Sequence, residues 1–313
     1  MSVTKRHRKA GALAALGAAT VAAVATAAVP PVAVKATSRN EKTPAADGIW
    51  LAWAQSRSSG PSAFDVWAQR SEEAPWKVNA GRTWAYAGGI DAGRLVYQVI
   101  PRPGAADLRL YDLERRRHLR LPAGINTRRP ECCGTLAGDW LLFTRGWPKA
   151  PIRQLVVLAN LRTGQSRVLD SLRSRRGVLK AGQVSESYAV WTKCNPRCRI
   201  VRHQLGGGTT VLPTGANVYA PSVADLGTVF YARRAGGCGQ SVQIVRHPQV
   251  GPPEVLASLP SGEDVSVTYT DSPVTTELAL PAWIYFDRFK CQGRRSDVYK
   301  VREGVVIHAS GRR

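Results

Sequence analysis

The sequence is most informative first in what it lacks. No G-x-S-x-G nucleophile elbow, H-E-x-x-H zinc helix or phosphate-cradling G-x-x-x-x-G-K occurs anywhere in the 313 residues. Carboxylates are scarce, 22 Asp plus Glu against 44 Lys plus Arg, and their sequence neighbours, such as Glu263-Asp264, read as solvated loop pairs rather than acid–base partners. There are only five histidines. His203 and His247 recur in similar strand contexts, which reads as repeat register rather than a shared metal site. Metal and cofactor chemistry are therefore not expected. Beyond the N-terminus no stretch is long and apolar enough to cross a membrane, and no helix of normal length is predicted.

The N-terminus does carry an apolar run. Lys5, Arg6, Arg8 and Lys9 precede a stretch without charge from Ala10 to Val34, with an A-x-A exit at Ala25-Thr26-Ala27. This is the pattern of an export signal over residues 1–27. Retention of the segment as an anchor is the alternative, and the only membrane association the sequence suggests. Residues 28–47 are polar after Val34, lack periodicity and read as a flexible linker, leaving 48–313 as the folded unit.

The net charge of +22 remains +18 once the four signal cations are discounted. Such a balance attracts polyanions. Export directs the chain away from nucleic acid, so the expected partner is a protein or an anionic envelope polymer, and the expected location is outside the cell or at its envelope. Six cysteines in an exported chain make disulfides the default.

The organisation lies in a repeat. Six apolar segments carry an aromatic at one fixed place: "WLAWAQ" (Trp53), "RLVYQV" (Tyr97), "WLLFTR" (Phe143), "YAVWTK" (Trp191), "TVFYAR" (Tyr231) and "AWIYFDR" (Tyr285). Their spacings run from 40 to 54 residues, the period of a propeller blade. A polar turn precedes each segment, such as "DAG" at 91 or "ADLG" at 224. A third strand follows ("LRLYDL", "QLVVLAN", "SVQIVRH") and then a fourth ("HLRLP", "SRVLD", "PEVLASL"; "VVIHA" in the last copy). The predicted fold is all-β, a six-bladed β-propeller of four-stranded blades.

The phrase "PSVADLGTVFYARR" resembles the inner-turn-second-strand phrase of TolB-like β-propellers, which typically reads Ser-Pro-Asp-Gly before an apolar strand. The turn proline is missing throughout, and Asp225-Leu226-Gly227 carries an inserted Leu. The resemblance extends over about Gly48 to Ser310. It implies six blades and a binding role, without specific chemistry.

In such a blade the loop between strands two and three shares a face with the crossover to the next blade. That face is predicted to be basic, with Arg128, Arg129, Arg173, Arg175 and Arg176 in crossovers as candidate binding residues. The first turns on the opposite face carry acids. Glu131 is expected at the channel entrance, where it would bind a cation, act as a base or pair with Arg128 or Arg129. Cys194 and Cys198 flank one hairpin loop, and Cys238 and Cys291 sit in corresponding loops of adjacent blades. The expected pairs are therefore Cys194–Cys198 and Cys238–Cys291, while Cys132 and Cys133 could bridge each other, stay free or pair elsewhere. The leading expectation is an exported, non-catalytic binding module; the alternative is a hydrolase or lyase at the channel mouth.

Overall fold

The computed structural model describes residues 31–58, 63–71, 73–146, 153–215, 217–237, 240–271, 283–291 and 296–302. The segment read as the export signal lies outside them, as do Cys238 and the predicted last strand "VVIHA". The described residues form β-strands and no α-helix.

Strand β1 (Val32–Lys35) is the first described element. The first blade follows: β2 (Glu41–Asp47), β3 (Trp50–Ser56), β4 (Phe64–Arg70) and β5 (Trp76–Lys77). The second is β6 (Trp84–Asp91), β7 (Arg94–Arg102), β8 (Ala105–Asp112) and β9 (Arg117–Leu119). The third is β10 (Glu131–Ala137), β11 (Trp140–Arg145), β12 (Gln154–Asn160) and β13 (Ser166–Leu172). The fourth is β14 (Val178–Val184), β15 (Tyr188–Cys194), β16 (Cys198–Gln204) and β17 (Thr209–Val211). The fifth is β18 (Val218–Val223), β19 (Val229–Arg234), β20 (Val242–His247) and β21 (Glu254–Leu259). The sixth contains β22 (Glu263–Asp264), β23 (Thr268–Asp271), β24 (Trp283–Lys290) and β25 (Ser296–Arg302). Each of the first five sheets is antiparallel in chain order, and the sixth runs β1-β25-β24-β22 with β23 also on β24.

That last sheet closes the ring. β1 pairs antiparallel with β25, Val32 opposite Lys300 and Lys35 opposite Val298, so the first described strand is the outer strand of the last blade. The reading of 28–47 as a flexible linker is thereby corrected, since β1 and β2 both lie within it. The physical reason is visible in each. Val32-Ala33-Val34 merges with the uncharged N-terminal run, and "EKTPAAD" faces the axis, where an inner strand needs no apolar alternation.

The six aligned aromatics all fall on second strands, and none is more than 8% exposed. Each buried side chain of this size contributes about 1.5–3 kcal/mol by leaving water. The core is divided into wedges between neighbouring sheets. One joins Trp50 and Tyr97 of the first two blades with Tyr285 of the sixth. Others join Leu108 with Phe143, Leu142 with Trp191, Val190 with Tyr231 and Phe230 with Phe286. Strands buried on both faces in this way show little alternation.

The turns match their chemistry. Between β6 and β7, Ala92 and Gly93 both take positive φ (47° and 71°), as a two-residue turn matched to strand twist requires.

Candidate functional site

The inner strands converge on the axis, and five of them carry a bulge at the point of closest approach. The register shifts between Lys42 and Ala45, Ala87 and Gly89, Cys132 and Thr135, Ala181 and Val184, and Tyr219 and Ser222. In the sixth blade the inner edge is split between β22 and β23. Packing here is tight enough to demand glycine. A Cβ on Gly88 would lie 2.1 Å from the Gly134 carbonyl oxygen, and one on Gly182 would lie 2.3 Å from that of Pro221. At the same level Thr43, Cys133 and Ala220 hold φ of 47°, 59° and 51°. Non-glycine residues in this region store strain and persist only where the surroundings fix them.

These bulges enclose an axial cavity of about 120 Å³, to which all six blades contribute. Its polar groups come from Thr43, Tyr86, Gln98, Cys133, Thr135, Lys180, Thr268 and Tyr269. Two side chains reach between non-adjacent blades and brace its floor. Tyr269 donates to the carbonyl of Ile90 (2.7 Å) and accepts from its amide (3.0 Å). Gln183 donates to the Thr270 carbonyl (2.8 Å) and accepts from its amide (2.9 Å). A smaller cavity of about 50 Å³ lies toward the first turns, lined by Asp47, Asp91, Glu186 and Asp225. Tyr269 lines both. Burial pushes the Asp47 carboxyl up, and the neighbouring Asp91 adds to this. Asp91 itself is held by Arg94 (2.9 Å) and the Gly138 amide (3.0 Å). Among the described residues no cluster of His, Cys, Asp and Glu is arranged for a metal ion.

Cys132 and Cys133 stand at the third-blade bulge with their Sγ atoms 2.8 Å apart. Both are free thiols, Cys132 buried and Cys133 partly exposed to the cavity. The hydrogen bond between them and burial push the Cys132 thiol well up. The same hydrogen bond, helped by the Lys180 ammonium, brings Cys133 down to about 7. Lys180 also donates to the Ser266 carbonyl across the axis (3.3 Å).

Glu131 is fully buried and does not line the cavity. Its carboxylate accepts from Thr127 Oγ1 (2.7 Å), the Thr127 amide (3.3 Å) and Arg145 Nε (2.9 Å). The cation that pairs with it is thus Arg145 of β11, not Arg128 or Arg129. Burial still pushes the Glu131 carboxyl up against these partners. Thr37 and Glu41 repeat the arrangement at the entrance of the first blade, where Thr37 Oγ1 donates to Glu41. "TSRNE" and "TRRPE" are therefore two copies of one crossover device, a Thr-x-Arg-x-Glu signal that was present in the sequence.

Arg128, Arg129, Arg173, Arg175 and Arg176 are all exposed, and none forms an ion pair with a described residue. They lie in two successive crossovers, leading into β10 and β14, and form one arc at the entrance of the third and fourth blades. Exposed Arg197 in the β15–β16 loop extends it. The rest of this face is less basic than the loop composition suggests, because acids share it. Arg57 pairs with Asp65 (2.7 Å), Lys193 with Asp170 (2.7 Å), Arg234 with Asp264 and Arg288 with Glu263. Opposing charges on the other face pair likewise, as in Arg162–Asp139 and Arg115–Asp112.

Cys194 and Cys198 form a disulfide across their hairpin. Cys291 is also disulfide-bonded; Cys238, its expected partner, lies outside the described residues. His203 and His247 are buried on separate third strands and do not converge.

No protein-family model and no curated protein matches the sequence. Solved structures do match the fold. TolB from Acinetobacter baumannii superposes with a TM-score of 0.53 at 13% identity, over 81% of this chain and 63% of that one. This chain has a TolB-like six-bladed β-propeller fold. The β-propeller domain of the Trilobed protease from Pyrococcus furiosus, described as an open velcro topology, gives 0.50 at 8% identity over 84% of this chain and 95% of that one. A protein of unknown function from Dyadobacter fermentans gives 0.60 at 9% identity over 88% and 98%. The TolB-like likeness is loose and concerns architecture, and the chain spans under two thirds of the Acinetobacter protein's length. What a TolB-like propeller offers chemically must therefore be read from its own side chains. Here these are an arginine arc at one rim, unpaired among the described residues, and a braced axial cavity with two thiols.

Proposed function

We propose that this TolB-like propeller is an exported, non-catalytic binding module that holds an anionic partner, a protein or an envelope polymer, against its crossover face. The observation that carries the reading is the arc of five exposed arginines without ion partners among the described residues, clustered on two successive crossovers of a face where Arg57, Lys193, Arg234 and Arg288 are paired with acids. Charges held on crossovers tied to the sheets, as Arg145 ties the one before β10, keep their spacing, so little is lost in ordering them when a partner binds. The basic N-terminal pattern and the Cys194–Cys198 bridge favour an oxidising location. Cleavage after Ala27 would leave β1 intact to close the ring. Glu131, the carboxylate on which a channel-mouth enzyme would depend, is buried and fully engaged, which weighs against that alternative.

The test uses a charge-matched pair of variants. Replacing Arg173, Arg175 and Arg176 with Gln should shift elution from an anionic matrix to distinctly lower salt. Replacing Arg115, Arg116 and Arg117 on the opposite face with Gln removes the same charge and should shift it much less. Equal shifts would mean that retention follows net charge alone, and the arc would lose its role.

A further inference from the structure

The axial thiols go beyond a binding role. We propose that Cys132 and Cys133 form a redox-active dithiol that exchanges with low-molecular-weight disulfides entering the axial cavity, with Cys133 as the attacking sulfur and Cys132 as the resolving one.

The argument begins with placement. Adjacent cysteines in a regular strand point to opposite faces. Here the bulge and the positive φ of Cys133 turn the two sulfurs toward each other, to 2.8 Å. Only a small approach separates this contact from a bond of about 2.05 Å. The two sulfurs are also unequal in access. Cys133 lines the cavity, whereas Cys132 is buried behind it. The Lys180 ammonium lies on the neighbouring inner strand and lines the same cavity, providing a positive charge for a thiolate. Among the described residues the carboxylate acting on the pair is Glu131, and it raises Cys132 rather than Cys133. An accessible, electrostatically favoured thiolate beside a buried protonated thiol is the division of labour that thiol–disulfide exchange requires. The braced floor at Tyr269 and Gln183 makes the cavity a pocket for a small reactant rather than a passage for a chain.

The reaction balances in two steps. The Cys133 thiolate attacks one sulfur of R–S–S–R, forming Cys133–S–S–R and releasing RS⁻. The Cys132 thiol loses its proton and attacks Cys133 Sγ, closing the Cys132–Cys133 disulfide and releasing the second RS⁻. The protein dithiol loses two electrons and two protons, and the small disulfide becomes two thiols.

A rate expectation follows from the lowering of the Cys133 thiol below its ordinary value by the Cys132 hydrogen bond and the Lys180 charge. At pH 7 the thiolate fraction rises, while lower basicity offsets part of that gain in each thiolate, leaving a net increase in rate.

The experiment uses the folded full-length chain, mildly reduced, challenged with oxidised glutathione and quenched by alkylation. The peptide spanning residues 129–145 is then followed by mass spectrometry. Wild type is expected to accumulate the internal disulfide, at a clearly higher rate than the same chain unfolded in guanidinium reacts. Cys132→Ser should trap one glutathione on Cys133, and Cys133→Ser should react no faster than unfolded chain. Lys180→Met should slow trapping in the Cys132→Ser background. The proposal fails if the wild-type peptide remains a dithiol, if either cysteine is found linked elsewhere in the non-reduced protein, or if Cys132 is modified as fast as Cys133. The wild-type comparison stands even if a variant does not fold.

Discussion

The ion pair between Arg145 and Glu131 offers a sharp test of how the ring is held. Glu131 is fully buried and the Arg145 side chain is 15% exposed. Arg145 also ties the crossover down by donating to the carbonyls of Gly124 (2.7 Å) and Ile125 (2.9 Å). Replacing Arg145 with Met keeps the bulk and removes the cation, which leaves a buried carboxylate with only Thr127 as donor. Breaking one side of a buried pair costs about 3–5 kcal/mol, and at about 2 °C per kcal/mol for a chain of this size the melting temperature should fall by about 6–10 °C. The pH dependence distinguishes this mechanism from simple loss of packing. Burial already raises the Glu131 pKa, so its protonated form is the one the fold tolerates better. The penalty is absent below the ordinary carboxyl value of about 4.3 and grows as pH rises through the raised folded value. Arg145→Met raises that value further. Differential calorimetry of wild type and variant at pH 4 and pH 7 should therefore show a small gap at pH 4 and the full gap at pH 7. Adding Glu131→Gln should recover part of the loss at pH 7. A loss equal at both pH values, or below about 1 kcal/mol at pH 7 where breaking a buried pair should cost several, would refute the reasoning.

Other expectations test the axis, the closure and the histidines. Gly182→Ala places a methyl 2.3 Å from the Pro221 carbonyl oxygen, so backbone must move. Overpacking of this kind costs about 1–3 kcal/mol or more, whereas Gly208→Ala, which meets nothing within 4 Å, should melt close to wild type. Replacing Val32–Lys35 with a Gly-Ser stretch removes the pairing of β1 with β25 and the Lys35–Trp53 contact at 4.8 Å. Hydrogen exchange should then lose protection first in β25, and unchanged protection there would show that closure does not depend on β1. Burial, reinforced by Arg167 beside His203 and Arg202 beside His247, lowers both imidazole pKa values. Their stabilising contribution is present above about pH 6.5 and is lost as pH falls through the depressed folded values. The double Gln variant should consequently lose less stability than wild type on acidification over that range, as read by urea midpoints.

The sequence by itself determined the architecture. Trp53, Tyr97, Phe143, Trp191, Tyr231 and Tyr285 recur because every second strand must fill a wedge between two sheets. Such a local demand is written into every copy. Turn chemistry at Ala92-Gly93 and the Cys194–Cys198 hairpin were legible for the same reason, since their partners are close in sequence. Ring closure was not legible, because β1 and β25 pair across about the whole length of the chain and the apolar Val32-Ala33-Val34 looks like the end of a signal. The charge map was legible only in part. Arg128, Arg129, Arg173, Arg175 and Arg176 are exposed as composition suggests, but whether a given Arg is free depends on which acid the fold sets beside it. Only the tertiary structure gave Glu131 to Arg145, and only its axial bulge turned Cys132 and Cys133 toward one another. Periodicity records what each blade needs for itself; contacts between blades depend on distances that no single repeat encodes.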